Sequence, residues 1–343
     1  MDEHTHSMEA SLRANGTQAT VVVCAFASHR LEQTLACVTS VLSQDPPPGQ
    51  IVVVVDHNDT LHADLRARLP EDVEVVANPD ARGLSSARNT AIARSRGDYV
   101  VFIDDDAVAH DQWLARLLTA FDDPSVIGAG GQARPLWEAP APDWLPPELL
   151  WVVGCSYVGL PETGSVRNPL GCNMAFRADL FQSVGMFNPA IGRLGSLPLG
   201  CEETEFCLRA AREVPDGRIA LVSGAEIDHH VPASRATVSY LLRRCYFEGI
   251  SKALVRRLGD RRSLDTERAY LRHALPARAK ASVRRSLSGH LAQGLGPMGA
   301  LAGSVAAAAV GYLFGLVAFG LRPPAASRLP PAVDRRPADV ARV

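Results

Sequence analysis

Short apolar runs rich in valine alternate, over the first third of the chain, with stretches whose apolar residues recur every three or four positions. TVVVCAF (20–26), IVVVV (51–55), VEVVA (73–77) and YVVFI (99–103) predict strands. Between them, Leu31, Leu35, Val38 and Leu42 share one helical face, and further helices are expected near 63–68, 85–95 and 112–121. Strands that are apolar throughout must be covered on both sides. The pattern therefore predicts an α/β fold, a mostly parallel sheet with helices on both faces. Ligands of such sheets bind beyond the carboxyl ends of the strands, where Phe26, Ala27, Ser28, Asp56 and the triplet Asp104, Asp105, Asp106 stand.

After Gly131 the texture changes. ARPLWEAPAPDWLPPELLWVVG is broken by proline and predicts a loop laid over the surface. Order returns at 168–177, a helix at 202–213, a strand at 218–223 and a long basic helix from Ser234 to about Leu258. Between Arg243 and Arg285, thirteen Lys/Arg face four Asp/Glu, a segment suited to an anionic partner. The next run, Leu291 to Leu321, carries no charge and nears the ~20 apolar residues that cross a bilayer. Spanning, surface attachment and burial against the rest of the protein all fit it. The expected boundaries are a polar tail 1–18, a catalytic unit 19–258, a basic linker or helix 259–290, an apolar membrane-associated or transmembrane helix 291–321, and a Pro/Arg-rich tail 322–343.

Composition narrows the class further. A hydrophobic fraction of 47% in 343 residues supports a full core, and the net charge of -2 is near neutral. Seven scattered cysteines without a C-x-x-C pair suggest neither a zinc knuckle nor a disulfide framework, which fits a reducing compartment. The start lacks the apolar core of a secretory signal, and no nucleic-acid partner is expected.

Three carboxylates directly after a buried strand repel one another, and something positive must offset them. Oxygen ligands at a strand end suit Mg²⁺ or Mn²⁺, which can bridge the phosphates of a nucleotide diphosphate; Asp106 could instead cap the following helix. Asp56 is placed to accept hydrogen bonds from a base, or simply to make a turn. Arg88, at the head of a helix, can reach a pyrophosphate or hold the first aspartate. Glu202, Glu203 and Glu205 gather at a helix N-terminus, more than capping requires, so one can serve as a general base. His229 and His230 point to opposite sides of an extended chain. One of them can complete the metal's ligands, and His230 is the narrow choice.

With these residues assembled, the chain resembles a family-2 inverting glycosyltransferase of the GT-A fold from about Thr20 to Leu258. The resemblance rests on TVVVCAFASHR, Asp56, GLSSARNTAI before the triplet, GCEETEFCLRA, and HHVPASRAT leading into RRCYFEGISKA. It implies a nucleotide-diphosphate-sugar donor, UDP favoured, a glycan or lipid-linked acceptor, and Mn²⁺ or Mg²⁺ as cofactor. Ala25, Phe26, Asp56, Arg88, Asp104 and Asp105 would contact the donor, Asp106 and His230 the metal, and Glu203 or Glu202 would act as base. The family usually has Asp where this chain has Glu203, and its first strand usually ends differently. The acceptor would approach over 166–177, with Trp137, Trp144 and Trp151 available to stack on sugar rings or to pack a core. The basic segment and apolar helix place such an enzyme at the cytoplasmic face of the cell membrane. A sugar nucleotidyltransferase would need a glycine-rich basic loop after the first strand, which CAFASHRLEQ lacks. A catalytically silent, membrane-tethered nucleotide-sugar-binding module would not need the carboxylates.

Overall fold

The computed structural model describes residues 18–192, 199–258, 264–288 and 291–321. The expected tails, apart from Gln18, and parts of the 259–290 segment lie outside the described residues. Within them the first half runs β1 (Ala19–Ala25), α1 (Leu31–Leu42), β2 (Gln50–Val55), α2 (Asp59–Arg68), β3 (Val73–Ala77), α3 (Leu84–Arg94) and β4 (Tyr99–Asp104). These four strands pair in parallel, in the order β3-β2-β1-β4.

Beyond β4 the sheet becomes mixed. A short β5 (Ala107–Ala109) and α4 (Trp113–Leu118) lead to β6 (Val126–Trp137), β7 (Gly164–Val166), β8 (Asn173–Arg177), α5 (Leu180–Ser183), α6 (Glu202–Glu213) and β9 (Arg218–Val231). Strand β8 inserts antiparallel between β4 and β6, and β9 pairs parallel with β6 and antiparallel with β5 and β7.

Alternation along each strand sends neighbouring side chains to opposite faces. Val21, Val23 and Val53 pack with Val38, Leu61 and Trp113, under α1, α2 and α4. Val22, Val52, Val54 and Phe102 pack with Ala91 and Phe206, under α3 and α6. Helix α3 is launched by Gly83, whose φ of 144° is costly for any residue with a Cβ. Its N–H donates to Asp56 Oδ2 at 3.0 Å, tying the turn to the end of β2.

Three helices end the described residues: α7 (Val238–Leu258), α8 (Asp265–Leu287) and α9 (Leu291–Leu321). α7 and α9 touch backbone to backbone. A Cβ on Gly249 would run into the Ala308 carbonyl oxygen, and one on Gly311 into that of Tyr246. The Trp-rich segment is more than the surface loop its prolines predict. A 3₁₀ turn at Pro147–Val153 buries Leu149 and Val152 against Leu241, Leu275 and Leu301 of the three helices, so the segment clamps them to the sheet. The 25 residues Gly294–Ala318 are long and apolar enough to cross a bilayer. Val310, Leu313, Phe314 and Val317 stand exposed along them.

Candidate active site

Strand β4 ends at Asp104, and Asp105 and Asp106 turn the chain into β5. β5 then pairs with β9, setting Ala107 opposite His229, while Asp106 O accepts the His230 N–H at 2.8 Å. This register delivers the His229 ring to the carboxylates, with Nε2 3.5 Å from Asp106 Oδ1. Ligand atoms of Asp104, Asp106 and His229 all lie within 4.8 Å of one another. His230, expected there from the sequence, leaves on the other side of β9, its Nδ1 accepting from Gln33 Nε2 at 3.1 Å. The histidine brought to the acidic pair is therefore His229.

The positive charge the triplet demands comes in part from Arg30, which no motif in the sequence singles out. It sits one 3₁₀ turn beyond β1, with Nη1 2.8 Å from Asp105 Oδ1 and 3.0 Å from Asp106 Oδ2. Arg235 Nη2 adds a second cation 3.8 Å from Asp106. Burial and then the neighbouring Asp106 charge still push the Asp105 carboxyl up to about 7, against the pull of Arg30. Asp105 Oδ2 is buried without a hydrogen-bond partner among the described residues.

The other strand ends contribute as follows. The Ala25 side chain is buried and its carbonyl accepts the Asp56 N–H at 2.8 Å. The Phe26 ring is exposed, with the Arg30 guanidinium 5.6 Å from its centroid. Besides Gly83, Asp56 accepts from Asn78 Nδ2 at 2.7 Å.

Helix α6 opens on Cys201, a non-glycine residue at φ 73°. Such strain is costly and persists where the surroundings impose it. The three glutamates that follow have different surroundings. Glu205 pairs with Arg209 at 2.7 Å. Glu202 pairs with Arg88 at 2.9 Å, both side chains almost wholly buried. Glu203 is half-buried, takes a hydrogen bond from the Thr204 hydroxyl at 3.2 Å, and has no ion-pair partner among the described residues. Burial, then the Glu202 charge, pushes its carboxyl up to about 7. Arg88 also donates to Gly171 O at 2.9 Å and lies 3.8 Å from Asp104 Oδ1, so it braces α6 against β4.

Arg88→Met leaves Glu202 as an uncompensated buried charge. We expect a loss of roughly 3–5 kcal/mol of stability, measured by thermal unfolding in detergent, and substantial recovery in the Arg88→Met/Glu202→Gln double variant.

Phe26, Asp56, Asp104, Asp105, His229, Glu202 and Glu203 all face one cavity of about 1080 Å³. Residues 167–172 line it too, whereas 173–177, part of the expected acceptor patch, form β8 inside the sheet. Of the three loop tryptophans, Trp151 reaches the cavity, Trp144 packs among the C-terminal helices and Trp137 joins a separate small cluster.

Residues 20–185 match the model of glycosyl transferase family 2. The chain is similar to a glucosyl-dolichyl phosphate glucuronosyltransferase of Haloferax volcanii, 31% identical over 259 residues, or 74% of this chain and 82% of that relative. The chain belongs to glycosyl transferase family 2. It is a glycosyltransferase. It is also similar to succinoglycan biosynthesis protein ExoM of Rhizobium meliloti, 28% identical over 66% of this chain and 71% of that one. Among solved structures, the mannosyltransferase PcManGT of Pyrobaculum calidifontis, in complex with GDP-Man and Mn²⁺, superposes with a TM-score of 0.55 at 20% identity, covering 89% of this chain and 87% of that one. The shared fold is GT-A.

Proposed function

We propose that this family-2 enzyme transfers a sugar from a nucleotide-diphosphate donor, UDP favoured, to a hydroxyl of a lipid-linked or cell-surface glycan precursor, inverting the anomeric carbon. The observation that carries the reading is the cavity that Asp104, His229 and an ionisable Glu203 all line, with Asp106 offering a ligand atom within 4.8 Å of those of Asp104 and His229. One displacement needs a charge-neutralising centre at the leaving group and a base at the incoming hydroxyl, and one displacement inverts.

The residues present fit a divalent cation. Two carboxylates and an imbedded imidazole make a mixed oxygen and nitrogen donor set that suits Mn²⁺, with Mg²⁺ the alternative. Asp104, Asp106 and His229 would hold it, and when bound it would neutralise charge growing on the leaving diphosphate. The protein's own groups do the rest. Phe26 offers a ring to the base, and Asp56, kept in place by Asn78 and Gly83, offers it an acceptor. Arg30 and Asp105 hold the triplet's geometry. Arg88 fixes Glu202, which leaves Glu203 as the carboxylate that takes the acceptor's proton. The catalytic unit is 19–258. The basic face of α8 beside the apolar α9 supports attachment at the cytoplasmic face of the membrane, where anionic lipids attract Lys and Arg.

His229→Gln raises the metal concentration needed for half-maximal activity by about 10–100-fold, whereas His230→Gln changes it by less than about twofold. Titrating Mn²⁺ against both variants checks this, and equal effects would return the ligand role to an open choice. The proposal as a whole is tested by screening the purified protein for hydrolysis of a panel of nucleotide sugars with Mn²⁺ or Mg²⁺. Release from one donor, dependent on metal, is the expected result; silence across the panel with no nucleotide binding would overturn it.

A further inference from the structure

The cavity extends past Glu203 into a wall of alternating charges contributed by three parts of the fold. Arg244 on α7 lies 2.7 Å from Glu248, and Glu248 3.0 Å from Lys252 one turn on. Lys252 lies 2.9 Å from Glu267 on α8, which takes both Nη atoms of Arg167, at 2.6 and 2.8 Å, from the segment before β8. The network adjoins the head of α6, since Cys201 Sγ is 3.6 Å from Glu248 Oε1. Burial raises the Glu248 and Glu267 carboxyls, but Lys252 with Arg244 or Arg167 outweighs it and both end below the usual range. The two carboxylates are therefore charged at neutral pH, as are the three cations, and among the described residues these five groups sum to a net charge of +1.

Desolvating five charged groups is a costly way to join helices. Their side chains are 14% to 26% exposed, and all five line the cavity rather than a sealed helix interface. The same cavity is lined further by Leu271 and Leu275 of α8 and by Val305, Ala308 and Ala309 of α9. A neutral polysaccharide would need neither the cations nor this apolar wall. A free sugar phosphate would not need the wall.

We infer that the Arg167–Lys252–Arg244 network binds the phosphate of an acceptor whose sugar is joined through phosphate or diphosphate to a hydrocarbon tail, with the tail along the α8–α9 wall. The inference rests on the function proposed above for the same cavity. It fits the charge, since Arg167, Arg244, Lys252, Arg256 and Arg268 lining the cavity outnumber Glu203, Glu248 and Glu267 there, and charge-assisted bonds to phosphate are the strong ones.

The test is calorimetric binding to the full-length protein in neutral detergent micelles, with farnesyl phosphate, farnesol and inorganic phosphate as probes. Farnesyl phosphate should bind about tenfold or more tightly than either other probe. Lys252→Met and Arg244→Met should remove that preference while leaving farnesol binding within about twofold. A wild-type protein that does not distinguish farnesyl phosphate from farnesol overturns the inference and needs no variant to do so. Variants that weaken both lipids equally also overturn it, marking the network as a helix tie. Nucleotide binding with Mn²⁺ is read in parallel, and its absence beside an intact phosphate preference counts against the proposed function and leaves the anion site standing.

Discussion

Glu203→Gln lowers the rate of sugar transfer by about 10²–10⁴-fold while nucleotide binding stays within a few fold. The neighbouring glutamates are committed elsewhere, Glu202 to Arg88 and Glu205 to Arg209. Glutamine keeps the size and the Thr204 contact but cannot take a proton. The pH profile adds an independent check. A base must be ionised, and burial with the Glu202 charge holds the Glu203 carboxyl up to about 7. In the wild type kcat/KM should therefore rise with pH, close to tenfold per unit below 7, and level off above it. The residual activity of the variant should lose that rising limb. Steady-state kinetics of both proteins between pH 5 and 9 decides it, and a variant that keeps the rate and the limb assigns the base elsewhere.

Asp106→Ala abolishes metal-dependent turnover, by roughly 10³-fold or more. Asp106 faces His229, Arg30 and Arg235 at once, so its removal takes away one of three candidate metal ligands and the carboxylate that both arginines approach. Thermal unfolding should show a folded variant, because Asp105 still holds Arg30. Turnover unchanged at saturating Mn²⁺ would mean that the cluster is structural.

The strand ends that line the candidate site are legible in the sequence, and the reason is local. β1 to β4 and their helices announce themselves by period, and the residues at the strand ends follow once the sheet is placed. The second half carries weaker signals. β6 opens with Gly128, Gly130 and Gly131, which weaken any strand signal, and β8 joins antiparallel, without the crossover helix that marks a parallel strand. The choice between His229 and His230 turns on a pairing of Ala107 with His229, more than a hundred residues apart in the chain. Alternation shows that only one histidine can face the carboxylates; the β5–β9 register decides which. The choice between Glu202 and Glu203 turns likewise on Arg88, 114 positions away. Arg30 did carry a signal, being a cation one turn beyond a strand whose neighbour ends in three aspartates.

The close seam between α7 and α9 changes what the apolar helix means. Gly249 and Gly311 allow the two backbones to meet, and α7 carries Arg244, Glu248 and Lys252 on its cavity side. α9 is thus a buttress of the cavity wall, and in the function proposed above it is a tether as well. A chain trimmed before Leu291 to make it easier to purify would lose part of that wall, so the apolar helix and the catalytic cavity are one piece of architecture.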